Sequence, residues 1–191
     1  MKDIFVQGDF DRFRVSDVTI MNAKTATANL SMGKIASTKT TVFLSHKHDE
    51  LNDLKGIMGL LQICGAECYI DSADAEMPSQ TSGETAKRIK NVIQQCDRFI
   101  LIATNRAIAS KWCNWELGYG DACKYPEAIA VFPIKPGGYS AKFEGNEYLQ
   151  IYPQVVYRDG SERYKNGHLI KKGYYVRNPY SRVLTPLADW L

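Results

Sequence analysis

Long apolar runs are missing from this chain of 191 residues. Unbroken apolar stretches such as 99–103 and 128–133 fall far short of the ~20 residues that a membrane-spanning helix needs, so no membrane segment is expected. The start of the chain lacks the apolar core of a secretory signal, and the protein is expected to stay in the cytoplasm. A surplus of one charge is lacking too: 24 basic residues stand against 21 acidic ones, a net charge of +3. That balance argues against a strongly basic nucleic-acid binder and against a like-charged disordered tail. Cysteines are few and odd in number, five in all. In a chain large enough to fold around its own core they read as buried thiols rather than a disulfide framework, and the Asn29-Leu30-Ser31 sequon is then coincidental.

Metal-ligand sets and phosphate loops are also wanting. His46 with His48, and Cys64 with Cys68, have no further ligands at zinc-site spacing, so no metal is expected. Gly118-x-Gly120 falls inside a helical pattern with no phosphate-loop signature after it, which supports neither a dinucleotide fingerprint nor a Walker loop. The basic residues Arg158, Arg163, Lys165, Lys171, Lys172, Arg177 and Arg182 are interleaved with tyrosines, but Asp159 and Glu162 dilute them. They read as a solvated surface, and nucleic acid is not an expected partner.

What is present is the make-up of a soluble globular domain: 45% hydrophobic, 24% charged and 11% aromatic residues. The length suits one domain with modest decoration. Apolar positions at Phe5, Phe10, Phe13, Val15, Val18 and Ile20 predict a strand or hairpin, and the Ala, Thr, Ser, Asn and Gly composition of 22–39 predicts a loop or weak strand. Residues 1–39 are therefore read as an N-terminal β extension ahead of a main domain over 40–191.

From there the pattern is regular. The run TVFLS at 41–45 predicts a strand, and 50–64, with Leu51, Leu54, Ile57, Met58 and Leu61, predicts an amphipathic helix. The unit recurs as a strand at 67–70, a polar loop at 71–82, a helix at 83–95, a strand at 98–103, a helix over 105–124 and a strand at 128–134. Short continuous apolar strands alternating with helices imply a parallel sheet covered on both faces, a flavodoxin-like doubly wound α/β domain. Its ligand site is expected beyond the C-terminal strand ends, after Ser45, Ile70, Ala103 and Ile134. Residues 139–191 read as a strand and helix elaboration. It holds an edge strand over 148–157 interrupted by Pro153, a Gly- and charge-rich excursion over 158–173, and a short helix over 181–191.

The most informative segment is Ser110-Lys111-Trp112-Cys113-Asn114-Trp115-Glu116-Leu117. Ser110 is a good N-cap, which puts Trp112 and Glu116 four residues apart on one face at the start of a helix. A carboxylate in the second turn beside an aromatic platform suits a cationic or sugar-bearing ligand. On residue type alone, Ser45 and Asp71 could cap turns, and Trp112, Trp115 and Tyr119 fit a helical stripe, so at least one of them belongs to the core.

Four features together resemble a known family: Phe43-Leu44-Ser45-His46 with Asp49 after it, Tyr69-Ile70-Asp71 before a long loop, the helix and strand over 89–104, and Ser110-x-Trp112-Cys113-x-x-Glu116. They are similar to the Toll/interleukin-1 receptor (TIR) domains over about 40–135. The likeness is strongest to prokaryotic stand-alone NAD-cleaving members such as the TIR component of Thoeris antiphage systems. The resemblance implies that Glu116 is the catalytic residue of an enzyme that releases nicotinamide from NAD and makes ADP-ribose or a cyclic ADP-ribose isomer. It also implies that Ser45, His46 and Lys47 line the pocket, that Asp71 and Ser72 open the loop that gates it, and that Trp112 or Trp115 stacks on a ring. NAD is then the substrate and no bound cofactor is expected. Implied partners are further copies of the chain, through TIR–TIR contacts at 71–82, and a separate effector protein reached through the nucleotide signal. The rival reading is a non-catalytic module that acts by homotypic assembly.

Overall fold

The computed structural model describes residues 2–31, 38–48, 50–70, 83–135 and 147–191. The N-terminal segment forms β1 (Phe5–Val6), a 3-10 turn at Asp11–Phe13 and helix α1 (Asp17–Ser31). The repeating units follow as β2 (Thr41–Ser45), α2 (Leu51–Ile63), β3 (Glu67–Ile70), α3 (Gly83–Gln95), β4 (Arg98–Ala103), α4 (Asn105–Ala109), α5 (Lys111–Cys123) and β5 (Ile129–Lys135). A 3-10 segment at Glu147–Ile151 leads into β6 (Gln154–Arg158), β7 (Gly173–Arg177), β8 (Leu184–Pro186) and α6 (Leu187–Trp190).

The strands lie side by side in the order β3-β2-β4-β5-β6-β7-β8, with β1 on β5. Pairing is parallel from β3 through to β6 and for β1 on β5, and antiparallel for β6–β7 and β7–β8. The centre is the doubly wound α/β arrangement expected from the repeats. Every residue of β2 and β5 is buried, as befits strands covered on both faces. Alternation along the strands then feeds two cores. Val42, Leu44, Ile100, Ile102 and Phe132 pack with α2 on one face, while Phe43, Phe99, Leu101 and Val131 pack with α3 and α5 on the other.

Two readings of the ends are corrected. Where the composition predicted a loop or weak strand over 22–39, residues 22–31 belong to helix α1 and 32–37 lie outside the described residues; among the described residues no hairpin precedes α1, and the β extension is the two-residue β1. Ser16 Oγ accepts from the Thr19 N–H at 3.3 Å at its start, and Ala23 and Ala26 lie along it. Alanine favours helix, and packing along β3 and against α3 supplies what a weakly amphipathic pattern does not. At the other end, 148–157 is not an edge strand. Pro153 sits just before β6, and β7 and β8 continue the sheet beyond it. Only Leu187–Trp190 of the expected C-terminal helix is helical; Leu187 and Trp190 are buried and Val183 is exposed.

The N-terminal segment is packed into the domain. Phe5 and Phe10 are buried and meet Phe132 and Tyr174, with Phe5 and Phe132 ring centroids 5.2 Å apart. Its 3-10 turn lies directly on α2, which is why two glycines stand in that helix. A Cβ at Gly59 would come 1.8 Å from the Phe13 carbonyl oxygen, and one at Gly56 2.6 Å from that of Phe10. Asp3 ties the same segment to the tail, receiving Arg158 at 2.7 Å and Arg177 at 2.5 Å. Burial alone would raise the Asp3 carboxyl, but hydrogen bonds and charge from those two guanidiniums hold it below its ordinary value.

Candidate active site

The helix expected over 105–124 is broken into two at Ser110, the residue whose type marks it as a cap. Its hydroxyl accepts from the Cys113 N–H at 3.4 Å, and its backbone is extended where α4 ends and α5 begins. The break aims the second turn of α5 at the C-terminal end of β2. There Ser45, the last residue of the strand, donates its hydroxyl to Glu116 Oε2 at 2.5 Å, and both residues are fully buried. The other carboxylate oxygen, Oε1, is likewise shut off from solvent.

A second link lies beside it. The Cys113 thiol, one turn before Glu116, donates to the His46 carbonyl at 3.4 Å. The buried His46 ring sets Nδ1 3.1 Å from the Leu44 carbonyl, a contact that puts a proton on Nδ1. Lys47 is half-buried, and its carbonyl accepts from the Glu50 N–H at 2.9 Å, closing the turn into α2. Ser45, His46 and Glu116 are thus brought together. Asp71 and Ser72, and Asp49 of the first motif, lie outside the described residues.

Trp112 and Trp115 are placed differently. Their indoles stack on one another, 4.8 Å between centroids, and Trp115 stacks in turn on Tyr119 at 6.2 Å. Lys90 of α3 lies over Trp115 and Tyr119, 4.8 Å from the latter's centroid. The two tryptophans border an open cavity of about 590 Å3 between α3 and α5, shared with Lys87, Lys90 and Lys111 and not lined by Glu116.

Two polar residues at the same sheet edge escaped the sequence reading. Thr104 Oγ1 donates to Glu50 Oε2 at 2.5 Å while accepting from the Ala107 N–H at 3.0 Å. A threonine between an apolar strand and a helix is an N-cap pattern that would have found it; nothing in the sequence points to its second bond, to Glu50. Farther along, Tyr148 donates to Asn114 Oδ1 at 2.5 Å, and Asn114 donates to the Ile108 carbonyl at 2.8 Å, so both helices around Ser110 are braced from outside.

A buried carboxylate fed by a hydroxyl can act on charge that develops beside it, because a site that excludes water screens little. The cysteines offer no comparable chemistry. All five are free thiols, and burial pushes Cys68 and Cys96 up, the latter to about 12. Among the described residues no cluster of three or more His, Cys, Asp or Glu could hold a metal ion, and no helix is long and apolar enough to cross a membrane.

With this geometry in hand, comparison with known proteins is specific. The family model for the TIR domain matches residues 42–164. A probable 3′ cyclic ADP-D-ribose synthase, ThsB′, of Bacillus cereus (strain MSX-D12) is 29% identical over 117 residues, a match that covers 60% of this chain and 60% of that protein's own length.

Proposed function

This chain belongs to the TIR domain family, and from that premise we propose that it cleaves the bond between nicotinamide and ribose in NAD and closes the remainder into a cyclic ADP-ribose. The observation that carries the reading is the buried pair of Ser45 and Glu116 at the C-terminal edge of β2, inside the matched segment. The likeness to a protein named for cyclic ADP-ribose synthesis favours cyclisation over hydrolysis.

The chemistry asks for little more than one anion. Glycosidases need a general acid because their leaving group departs as an alkoxide. Nicotinamide is already cationic, takes the electron pair of the broken bond and leaves neutral. Glu116 then stabilises the positive charge that grows on the ribose, an electrostatic role worth roughly 3 kcal/mol in a dry site. Ser45 holds the carboxylate in place until the substrate's ribose hydroxyls take over its hydrogen bond. A hydroxyl from the adenosine end attacks the anomeric carbon and loses its proton to give the cyclic product; water in its place gives ADP-ribose.

Glu116 is wholly shielded in the single chain, which favours a site that opens when chains assemble. We read Trp112 and Trp115, on the neighbouring cavity between α3 and α5, as the surface on which a ring stacks, Asp71 and Ser72 as part of the assembling loop, and the product as a signal to a separate effector in antiphage defence.

Incubating purified chain with NAD over a range of protein concentrations, with products resolved by mass spectrometry, tests this. The expected result is free nicotinamide, a product lighter than ADP-ribose by one water, and turnover per chain that rises with concentration. A product with the mass of ADP-ribose itself replaces cyclase by hydrolase, and flat turnover removes the need for assembly. Absence of nicotinamide at every concentration leaves a non-catalytic assembly module.

A further inference from the structure

A second cavity, of about 210 Å3, lies where β5, β6 and β7 meet the turn between β7 and β8, on residues that the proposed reaction does not use. Val131 and Leu149 supply apolar wall. Among the described residues, the charged side chains that line it are Arg177 and Arg182, both guanidiniums, Gln150 and Gln154 add amides, and no carboxylate takes part.

The two arginines are held in different ways. Arg177 is fixed by Asp3 Oδ2 at 2.5 Å and Gln154 Oε1 at 2.7 Å, which occupies two of the five N–H donors a guanidinium carries. Arg182 stands in the left-handed region with φ 59°, the one non-glycine with positive φ among the described residues. The turn that holds it there is strapped by Asn178, whose side chain accepts from Tyr180 and Ser181 and whose carbonyl accepts from the Arg182 N–H at 3.1 Å. Its guanidinium makes no ion pair or hydrogen bond with a described residue. A glycine would occupy this backbone more cheaply, so the turn carries strain at a residue whose side chain lines the cavity.

Charge follows the same direction. Among the described residues, Asp3 answers Arg158 and Arg177 together, Glu162 stands 3.6 Å from Arg158, and Arg182 is left as the local excess. Guanidinium forks match the oxygens of a phosphate as they match a carboxylate, and two forks side by side can be answered by the larger number of oxygens on a phosphate. The volume is below the roughly 300–1,000 Å3 of sites that enclose drug-sized ligands, so a whole dinucleotide is too large. We propose that this cavity binds a small phosphomonoester of sugar-phosphate size, its phosphate between Arg177 and Arg182 and its hydroxyls against Gln150.

The test is a calorimetric titration in the absence of NAD, so its outcome does not depend on the proposed reaction. Ribose 5-phosphate, inorganic phosphate and ribose are the probes, against wild type and Arg182→Gly, a variant that keeps the turn because glycine accepts its φ. Saturable binding of ribose 5-phosphate is expected, and a parallel NMR titration should show shifts in the Gln150 and Gln154 side-chain amide resonances. Arg182→Gly should weaken it by about tenfold or more, in line with the loss of a charge-assisted hydrogen bond, at an unchanged or higher Tm. Inorganic phosphate binding as tightly as ribose 5-phosphate identifies the free oxyanion as the ligand of the same site. Failure of both phosphates to bind, ribose binding equally well, or affinity untouched by Arg182→Gly overturns the proposal.

Discussion

Two carboxylates of this molecule, one half-buried and one fully buried, are held by different partners. Asp3, at the seam between the N-terminal segment and the tail, is gripped by two guanidiniums whose charges hold its carboxyl down. Glu116, at the C-terminal edge of the sheet, takes the hydroxyl of Ser45. A charge clamp joins residues 174 positions apart and serves the architecture. A hydroxyl can be exchanged for the hydroxyls of a sugar, which leaves the anion available for chemistry. The seam should therefore answer perturbation in stability, and the edge in turnover.

The strongest blow to the packing of the N-terminal segment, whose other side forms the seam, is Gly59→Ala. The added carbon would meet the Phe13 backbone oxygen, which no side-chain motion relieves. Overpacking of this kind costs about 3 kcal/mol, a Tm drop of roughly 6–12 °C at this length, with turnover per folded chain unchanged. A thermal melt beside an NAD assay reads both, and a variant as stable as wild type but inactive would erase the distinction between the regions.

At the edge, Ser45→Ala removes the donor to Glu116. Loss of a hydrogen bond to a charged group is worth about 1.5–3 kcal/mol, so kcat should fall by about tenfold or more. Unchanged kcat would mean that the serine only fills space.

The smallest expected effect sharpens the comparison by pH. Asp3 has a folded value below its unfolded one of about 3.9. Its contribution is fully present above the unfolded value and is lost as pH falls through the folded one. Asp3→Asn should thus lower stability at neutral pH by about 1 kcal/mol and lose less than wild type on acidification. Parallel acid limbs in denaturant melts would show that the clamp carries no charge energy.

The sequence reveals the edge better than the seam. β2, β3, β4 and α3 follow from apolar runs and one clear helical stripe, and the cap at Ser110 follows from residue type. The bond between Ser45 and Glu116 spans 71 positions, and only the family likeness brought the two together. Helix α1 was missed because its pattern is weakly amphipathic and its stability comes from β3 and α3, contacts that no local window contains. β7 was missed because Gly173 and the charged residues before it mask a short aromatic strand, whose pairing with β6 is set by the tail's path. The need for glycine at positions 56 and 59 has no signal in the sequence, because it comes from the 3-10 turn lying on α2.

The central claim is that the negative charge of Glu116 stabilises the ribose cation as nicotinamide leaves. Nicotinamide release by wild type and Glu116→Gln, side by side at equal folded concentration, tests it most directly, since the amide keeps the shape and removes the charge. The account predicts a loss of about 100-fold or more with a Tm within a few degrees of wild type. Equal rates from the two proteins would contradict it.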